Sequence, residues 1–378
     1  MTTIPFDQAP EEGAAIQGRS LWADARRRLL ANRAAVVSMV ILAVVALMAL
    51  LGPWLSPHHY DQVYRSYIRV APSFQPYPHG DAVTAMVDRA LRRSGGTVEE
   101  LTVDGDTMRL VLTGEEALDP RIVRSIDRSG DFRGAEVVET SEDGRRMVIE
   151  ATLERYTFLF GTDSNGRDLM TRVLYGGRIS LMIGLLATFV SLVIGVTYGA
   201  TAGYLGGRAD NLMMRFVDIL YSIPFMFFVI LLMVFFGRNI FLMFIAVGAI
   251  EWLDMARIVR GQTLSIKRKE FIEAALAAGV GTPKIIRRHI VPNALGPVVV
   301  YMTLMVPKVI LLESFLSFLG LGVQEPMTSW GVLIADGANN MVAAPWMLLF
   351  PAVFLAVTLF CLNFIGDGLR DALDPKDR

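Results

Sequence analysis

The sequence predicts an all-α polytopic membrane protein of about six spans, with a small α+β unit inserted after the first of them. Three observations carry this prediction. The 378 residues are 53% hydrophobic with mean hydropathy +0.44, too apolar for an ordinary soluble chain. Charged residues nevertheless make up 19%, too many for a chain built only of spans. The polar residues are also gathered, into one long block after the first apolar run and one basic loop late in the chain. Formal net charge is −1, so no global field favours nucleic acid. Cys361 is the only cysteine and sits in an apolar run, which excludes a disulfide framework. The four histidines complete no metal-ligand spacing.

Apolar runs long enough to cross a bilayer as helices fall at 34–55, 180–205, 217–236, 240–255, 295–319 and 346–366. The first starts behind a polar leader (1–33) and ends at Trp54 without a small-residue cleavage site, so it reads as a span and not as a signal peptide. Basic residues set the orientation. Arg26, Arg27, Arg28 and Arg33 precede the first span. Arg260, Lys267, Arg268, Lys269, Lys284, Arg287 and Arg288 fill the late loop, and Arg370, Lys376 and Arg378 follow the last span. The short loop around Arg238 and the stretch 320–345 carry almost none. Both termini, including the tail 367–378, are therefore expected in the cytoplasm, and 56–158 outside.

Between residues 79 and 155 stand seventeen acidic residues against eleven arginines and no lysine, net −6. Val83, Val87, Ala90 and Leu91 share one helical face within 81–93. Strand-like runs at 97–103 and 107–112 flank Gly105 between two aspartates, a hairpin signal. Asp119-Pro120 supplies an N-cap and a proline at the first helical position, followed by Ile122, Val123 and Ile126. Runs at 135–140 and 146–152 flank Asp143-Gly144, a second hairpin. The order helix, hairpin, helix, hairpin predicts an α+β sandwich of about four strands, with no catalytic constellation and a docking or spacer role.

The late loop reads "EFIEAALAAGVGTPKIIRRHIVPNALGP" from Glu270 to Pro297. Glu273-Ala274-Ala275 opens a short helix of small residues, Gly279 can end it, and Gly281-Thr282-Pro283 turns into a second, basic helix. Pro292-Asn293 is expected to break the chain before the next span. The product is a helical hairpin with a small-residue surface, suited to a groove on another protein.

Glu273-Ala274-Ala275, Gly279 four residues after Ala275 and Pro292 thirteen after Gly279 resemble the "EAA" loop of ABC-importer permeases. "LFGTDSNGRDLMTRVLYGGRISL", "WLDMARIVRGQTLSIKRKEFIEAA", "LLESFLSFLGLGVQEPMTSWG" and "NFIGDGLRDALDPKDR" are similar to dipeptide and oligopeptide permeases, in particular the C-type subunit. The leader stretch "GRSLWADARRRLLANRAAV" points the same way. The resemblance implies a type I importer permease whose five later spans (159–366) form the core, with the coupling loop at 260–292. It also implies a homologous second permease, two ATPase subunits and an extracytoplasmic peptide-binding protein. Glu273, Ala274, Ala275, Gly279 and Pro292 would dock the ATPase, and Arg287 and Arg288 would touch its rim or lipid headgroups. The inserted unit exceeds what this family leads one to expect. Dipeptides, nickel chelates and antimicrobial peptides stand as alternative cargo within the same machinery.

Asp163-Ser164-Asn165-Gly166 superficially suggests a calcium loop, but Arg167 takes the next ligand place and no bidentate glutamate follows. A turn capping the helix into the second span is expected instead. Lys308, directly after Pro307 in the fifth span, costs about 2.5–3.5 kcal/mol on insertion scales. Glu313 lies about 140° further round that helix and does not pair with it. Lys308 therefore either lines a watery pathway or meets an acidic group on a partner subunit. Glu251 and Asp254 are expected to be structural, with Arg257 three residues from Asp254.

There is no G-x-x-x-x-G-K-[ST] and no nucleophile–base arrangement, so the chain is expected to be no enzyme and to hold no cofactor. An ion-coupled secondary transporter would show inverted repeats around acidic intramembrane residues, which the sequence lacks. A membrane-anchored sensor would need a cytoplasmic signalling domain, for which the tail after Gly366 is too short.

Overall fold

The computed structural model describes residues 21–92, 96–237 and 240–373. The expectations placed on Arg238, Lys376 and Arg378, and on the first twenty residues of the leader, lie outside the described residues. A basic helix α1 (Leu21–Ala31), which the sequence reading did not assign, packs on the C-terminal helix and leads into α2 (Arg33–Leu55). The Asn32 side chain caps α2 by accepting from Ala35 N–H at 3.2 Å.

The insertion follows. α3 (Asp81–Leu91), β1 (Thr97–Asp104), β2 (Thr107–Thr113), α4 (Ile122–Ser129), β3 (Phe132–Thr140) and β4 (Arg146–Leu153) form one antiparallel sheet in the order β1-β2-β4-β3, packed on two helices. Met108, Leu110 and Leu112 of β2 and Met147, Ile149 and Leu153 of β4 face Val83, Val87, Leu91, Ile122 and Ile126 across the core. The period of two along β2 and β4 is what places these side chains on one face. Two details differ from the sequence reading. Asp119 does not cap α4; its Oδ1 accepts from Arg121 N–H at 2.8 Å, closing a turn, and the helix starts at Ile122. The core also extends beyond 79–155, because Tyr64, Tyr67 and Phe158 are buried in it.

The bundle consists of α2, α5 (Leu169–Leu205), α6 (Gly207–Tyr221), α7 (Phe225–Phe236), α8 (Ile240–Ile266), α9 (Glu270–Ala277), α10 (Thr282–Ile285), α11 (Val291–Phe318), α12 (Trp330–Asn339) and α13 (Trp346–Leu373). Among the described residues, four helices are long and apolar enough to cross a membrane: α2, α5, the continuous stretch Thr282–Phe318, and α13. A fifth appears if α6 and α7 are one broken span. The expected single span at 217–236 is thus two helices bent by 78°. Pro224 explains the bend, since it lacks an N–H and pushes the residue before it out of helical geometry. α8 is 27 residues long but carries Glu251, Asp254, Arg257 and Arg260, so it falls short of a span by composition.

Helix α5 is the axis of the bundle. Gly195, Gly199 and Gly203 recur every four residues along it and meet α8 at Met255, Ala256 and Thr263. A Cβ on Gly199 would fall on the Ala256 carbonyl oxygen and lie 3.0 Å from Arg260 N. Only glycine lets these two backbones approach so closely.

Candidate functional site

Helix α9 is held at the end of the bundle by Ile272 and Ala275, which are buried in the same cluster as Ile183, Val259, Ile285 and Val309. Glu273, Ala274 and Gly279 face outward, as do Phe271 and Leu276. Ala275 is therefore an anchor and not part of the outward surface, which corrects the reading that grouped it with Glu273 and Ala274. A spacing of three from Ile272 to Ala275 puts both on one helical face and leaves the opposite face free.

The end of α9 shows why glycine stands at 279. Gly279 has φ +74 and donates to Leu276 O at 2.9 Å, while Val280 N–H donates to Ala275 O at 3.1 Å. This pair of bonds is a Schellman motif, which satisfies the last carbonyls and needs a left-handed residue at that point. The expected break at Pro292-Asn293 is absent. The helix is continuous from Thr282 to Phe318, and the ladder slips by one residue over Ile286–Ile290 so that Val291 N–H donates to Ile286 O. The slip accommodates the N–H that Pro292 lacks, and Asn293 Nδ2 donates to His289 O at 2.6 Å. Arg287, Arg288 and Pro292 are exposed on this segment, beside Lys284.

Lys308 finds its acidic partners within its own chain. Its Nζ donates to Glu251 Oε2 at 2.9 Å and to Asp254 Oδ2 at 3.1 Å on α8. The sequence reading leaves Lys308 between a watery path and a partner subunit's carboxylate and does not place it beside α8; the pairing of Asp254 with Arg257 is corrected. Arg257 instead holds Asp218 of α6 at 2.9 Å and stacks over the Tyr221 ring at 4.3 Å. Glu313 does not meet Lys308. It is fully buried, accepting from Ser317 Oγ at 2.6 Å and Ser180 Oγ at 3.3 Å. Ser180 in turn accepts from Trp330 N–H, so Glu313 ties α5 and α11 to the first turn of α12.

The Asp163–Gly166 turn is also an ion-pair node. Asp163 Oδ2 lies 2.7 Å from Arg167 Nε and 3.3 Å from Arg172 Nε, all three buried, and Arg167 reaches Glu325 at 2.8 Å. The cap on α5 is Asp168, which accepts from Thr171 N–H at 2.7 Å, and not the turn itself. Burial pushes the Asp168 carboxyl up despite these bonds. Burial likewise raises Asp336, which accepts from Ser164 Oγ at 3.0 Å and fastens α12 to the turn.

The comparisons with known proteins agree with the motif pattern. Over 363 residues, 96% of this chain and 91% of the relative, the sequence is 48% identical to the oligopeptide transport system permease protein OppC of Haemophilus influenzae. The chain belongs to the oligopeptide-permease family. Residues 195–378 match the model of the binding-protein-dependent transport system inner membrane component, and 20–76 that of the N-terminal TM domain of oligopeptide transport permease C. OppC of Escherichia coli K12 is 49% identical over 96% of this chain and 94% of its own. The dipeptide transport system permease protein DppC of Bacillus subtilis is 50% identical over 220 residues, covering 58% of this chain and 69% of the relative. This permease accordingly has the mostly helical type I importer fold. Two features of it were missed in the sequence. One is the glycine stripe on α5, visible as "GVTYGATAG"; the other is the continuation of the α8 charges Glu251, Asp254 and Arg257 to Arg260, and the pairing of the two arginines with Asp218 and Asp210 of α6.

Proposed function

We propose that this chain is the membrane-spanning permease subunit of an ATP-driven importer that moves oligopeptides across a bacterial cytoplasmic membrane. Both termini and α9 lie on the cytoplasmic side, α8 completes a set of six spans, and the insertion 56–158 stands outside as an α+β domain. The basic residues around 260–292 support that orientation. The chain pairs with a homologous permease, two ATPase subunits that bind the ATP, and an extracytoplasmic peptide-binding protein. The observation that carries the reading is α9, a capped helix anchored from beneath with Glu273, Ala274 and Gly279 presented outward. Closure of the ATPases moves this helix as a rigid body and biases the bundle between two states.

A cysteine at Ala274 tests the docking. It is expected to cross-link to the ATPase subunit in the assembled complex and to change in yield with ATP; a yield indifferent to nucleotide counts against coupling. The dipeptide relative favours shorter peptides as the second cargo reading, and uptake competition between di- and tripeptides decides between them.

The insertion is expected to fold without lipid, but only if its whole core is present. Residues 62–160 should show a cooperative thermal transition by circular dichroism. A fragment of 78–155 omits Tyr67 and Phe158, each 1% exposed. Full burial of a large apolar side chain contributes about 1.5–3 kcal/mol, so that fragment should melt many degrees lower. Equal midpoints would show that these side chains do not belong to the domain core.

A further inference from the structure

The ladder on α8 places Glu251, Asp254, Arg257 and Arg260 along one slowly turning edge, each about 60° round from the last. The two arginines are balanced one to one. Arg257 has Asp218 at 2.9 Å, and Arg260 grips Asp210 with two nitrogens at 2.6 Å each. The other two steps are not balanced, because among the described residues Lys308 alone answers both Glu251 and Asp254. The side chains of Lys308, Asp254 and Glu251 are 52%, 24% and 4% exposed, so the group opens outward from the chain through Lys308 and Asp254.

Acyl chains cannot solvate such a group, since charges at membrane depth persist only against protein or water. A dry interface would also have to bury one uncompensated carboxylate, which costs several kcal/mol unless a cation comes with the partner. Water removes that cost. We propose that this face of α8 and α11 lines the translocation path, and that Glu251, Asp254 and Lys308 form a cation-accepting station. It favours the peptide α-ammonium and basic side chains over acidic ones. Lys308 considered alone would attract carboxylates; its two carboxylate partners reverse the sign. The inference rests on the permease reading above and adds a charge preference to it.

The test uses the assembled transporter in liposomes. Cys361→Ala removes this chain's only thiol, and Leu311→Cys, exposed one turn from Lys308, places a reporter beside the intact station, read on this subunit's band. Labelling by a cationic methanethiosulfonate is expected to outpace labelling by its sulfonate counterpart about 5-fold or more, after correction for intrinsic reactivity. Adding Asp254→Asn should shrink that ratio. Failure of both reagents to label would overturn the path assignment, and labelling without charge preference would overturn the station. In a second arm, Asp254→Asn in the otherwise unaltered chain should lower the uptake ratio of lysine-containing to glutamate-containing tripeptides several-fold at equal amounts of complex. An equal loss for all peptides would mark the triad as merely structural. If the unsubstituted complex takes up no peptide, the cargo reading falls, and the labelling ratio, which needs no peptide, still decides the station.

Discussion

Gly199→Val is expected to abolish accumulation of folded permease. The substituted Cβ falls on the Ala256 carbonyl oxygen and lies 3.0 Å from Arg260 N, both backbone atoms that no rotamer change can move. Overpacking in cores that can adjust costs about 1–3 kcal/mol, and here the adjustment would have to separate two long helices. Their separation would also pull Arg260 from Asp210 and disturb the cluster beneath α9. The measurement is the yield of monodisperse protein in detergent and its thermal midpoint. Gly261→Ala is the control. Gly261 lies on α8, the helix that Gly199 of α5 packs against, with nothing within 4 Å of its added Cβ, so that substitution should be neutral or stabilising by up to ~1 kcal/mol. Equal yields for Gly199→Val and Gly261→Ala would disprove the close-approach argument.

Glu273→Arg and Gly279→Pro are expected to abolish ATP-coupled uptake while the chain still inserts. They act differently. Glu273 is exposed in the first turn of α9, so reversing its charge changes the presented surface and costs the helix end only about 0.3–1 kcal/mol. Gly279 holds φ +74 and donates to Leu276, whereas proline fixes φ near −65° and has no N–H. Gly279→Pro should therefore unwind the end of α9 and detach Val280 from Ala275. Gly279→Ala, which meets no neighbour, should cost only the ~1–2 kcal/mol of a left-handed alanine and leave uptake partly intact. Peptide-stimulated ATP hydrolysis in the purified complex is the readout. Normal stimulation in an assembled Glu273→Arg complex would remove Glu273 from the coupling surface.

Much of the site was legible because it is local. The turn after α9 needs a glycine at 279, and its two closing bonds span only four and six residues. Which helical residues face outward was less legible. Ala275 looked like its neighbour Ala274, and only its burial with Ile272 in the core cluster shared with α5, α8 and α11 turned it inward. Pro292 is the reverse case: proline argues for a break, yet a one-residue slip of the ladder and the Asn293 side chain kept the helix whole. That compensation costs little locally but is decided by the pull of a continuous apolar face.

The sequence by itself determined the apolar runs that become α2, α5, α11 and α13, the two turns at Gly105 and Asp143-Gly144, and the motif that marks the family. These follow from periodicity, backbone restriction and spacing, which act over a few residues. Tertiary structure alone decided the charge partners. Asp254 has Arg257 three residues away and takes Lys308, 54 residues away; Arg257 takes Asp218, on another helix. The reason is physical. On a helix, a pair three apart contributes only a few tenths of a kcal/mol, whereas a charge at membrane depth that is left without a partner costs several times more. Packing α8 between α6 and α11 brings every carboxylate of the ladder within reach of a cation, and the strongest set of pairings across helices wins.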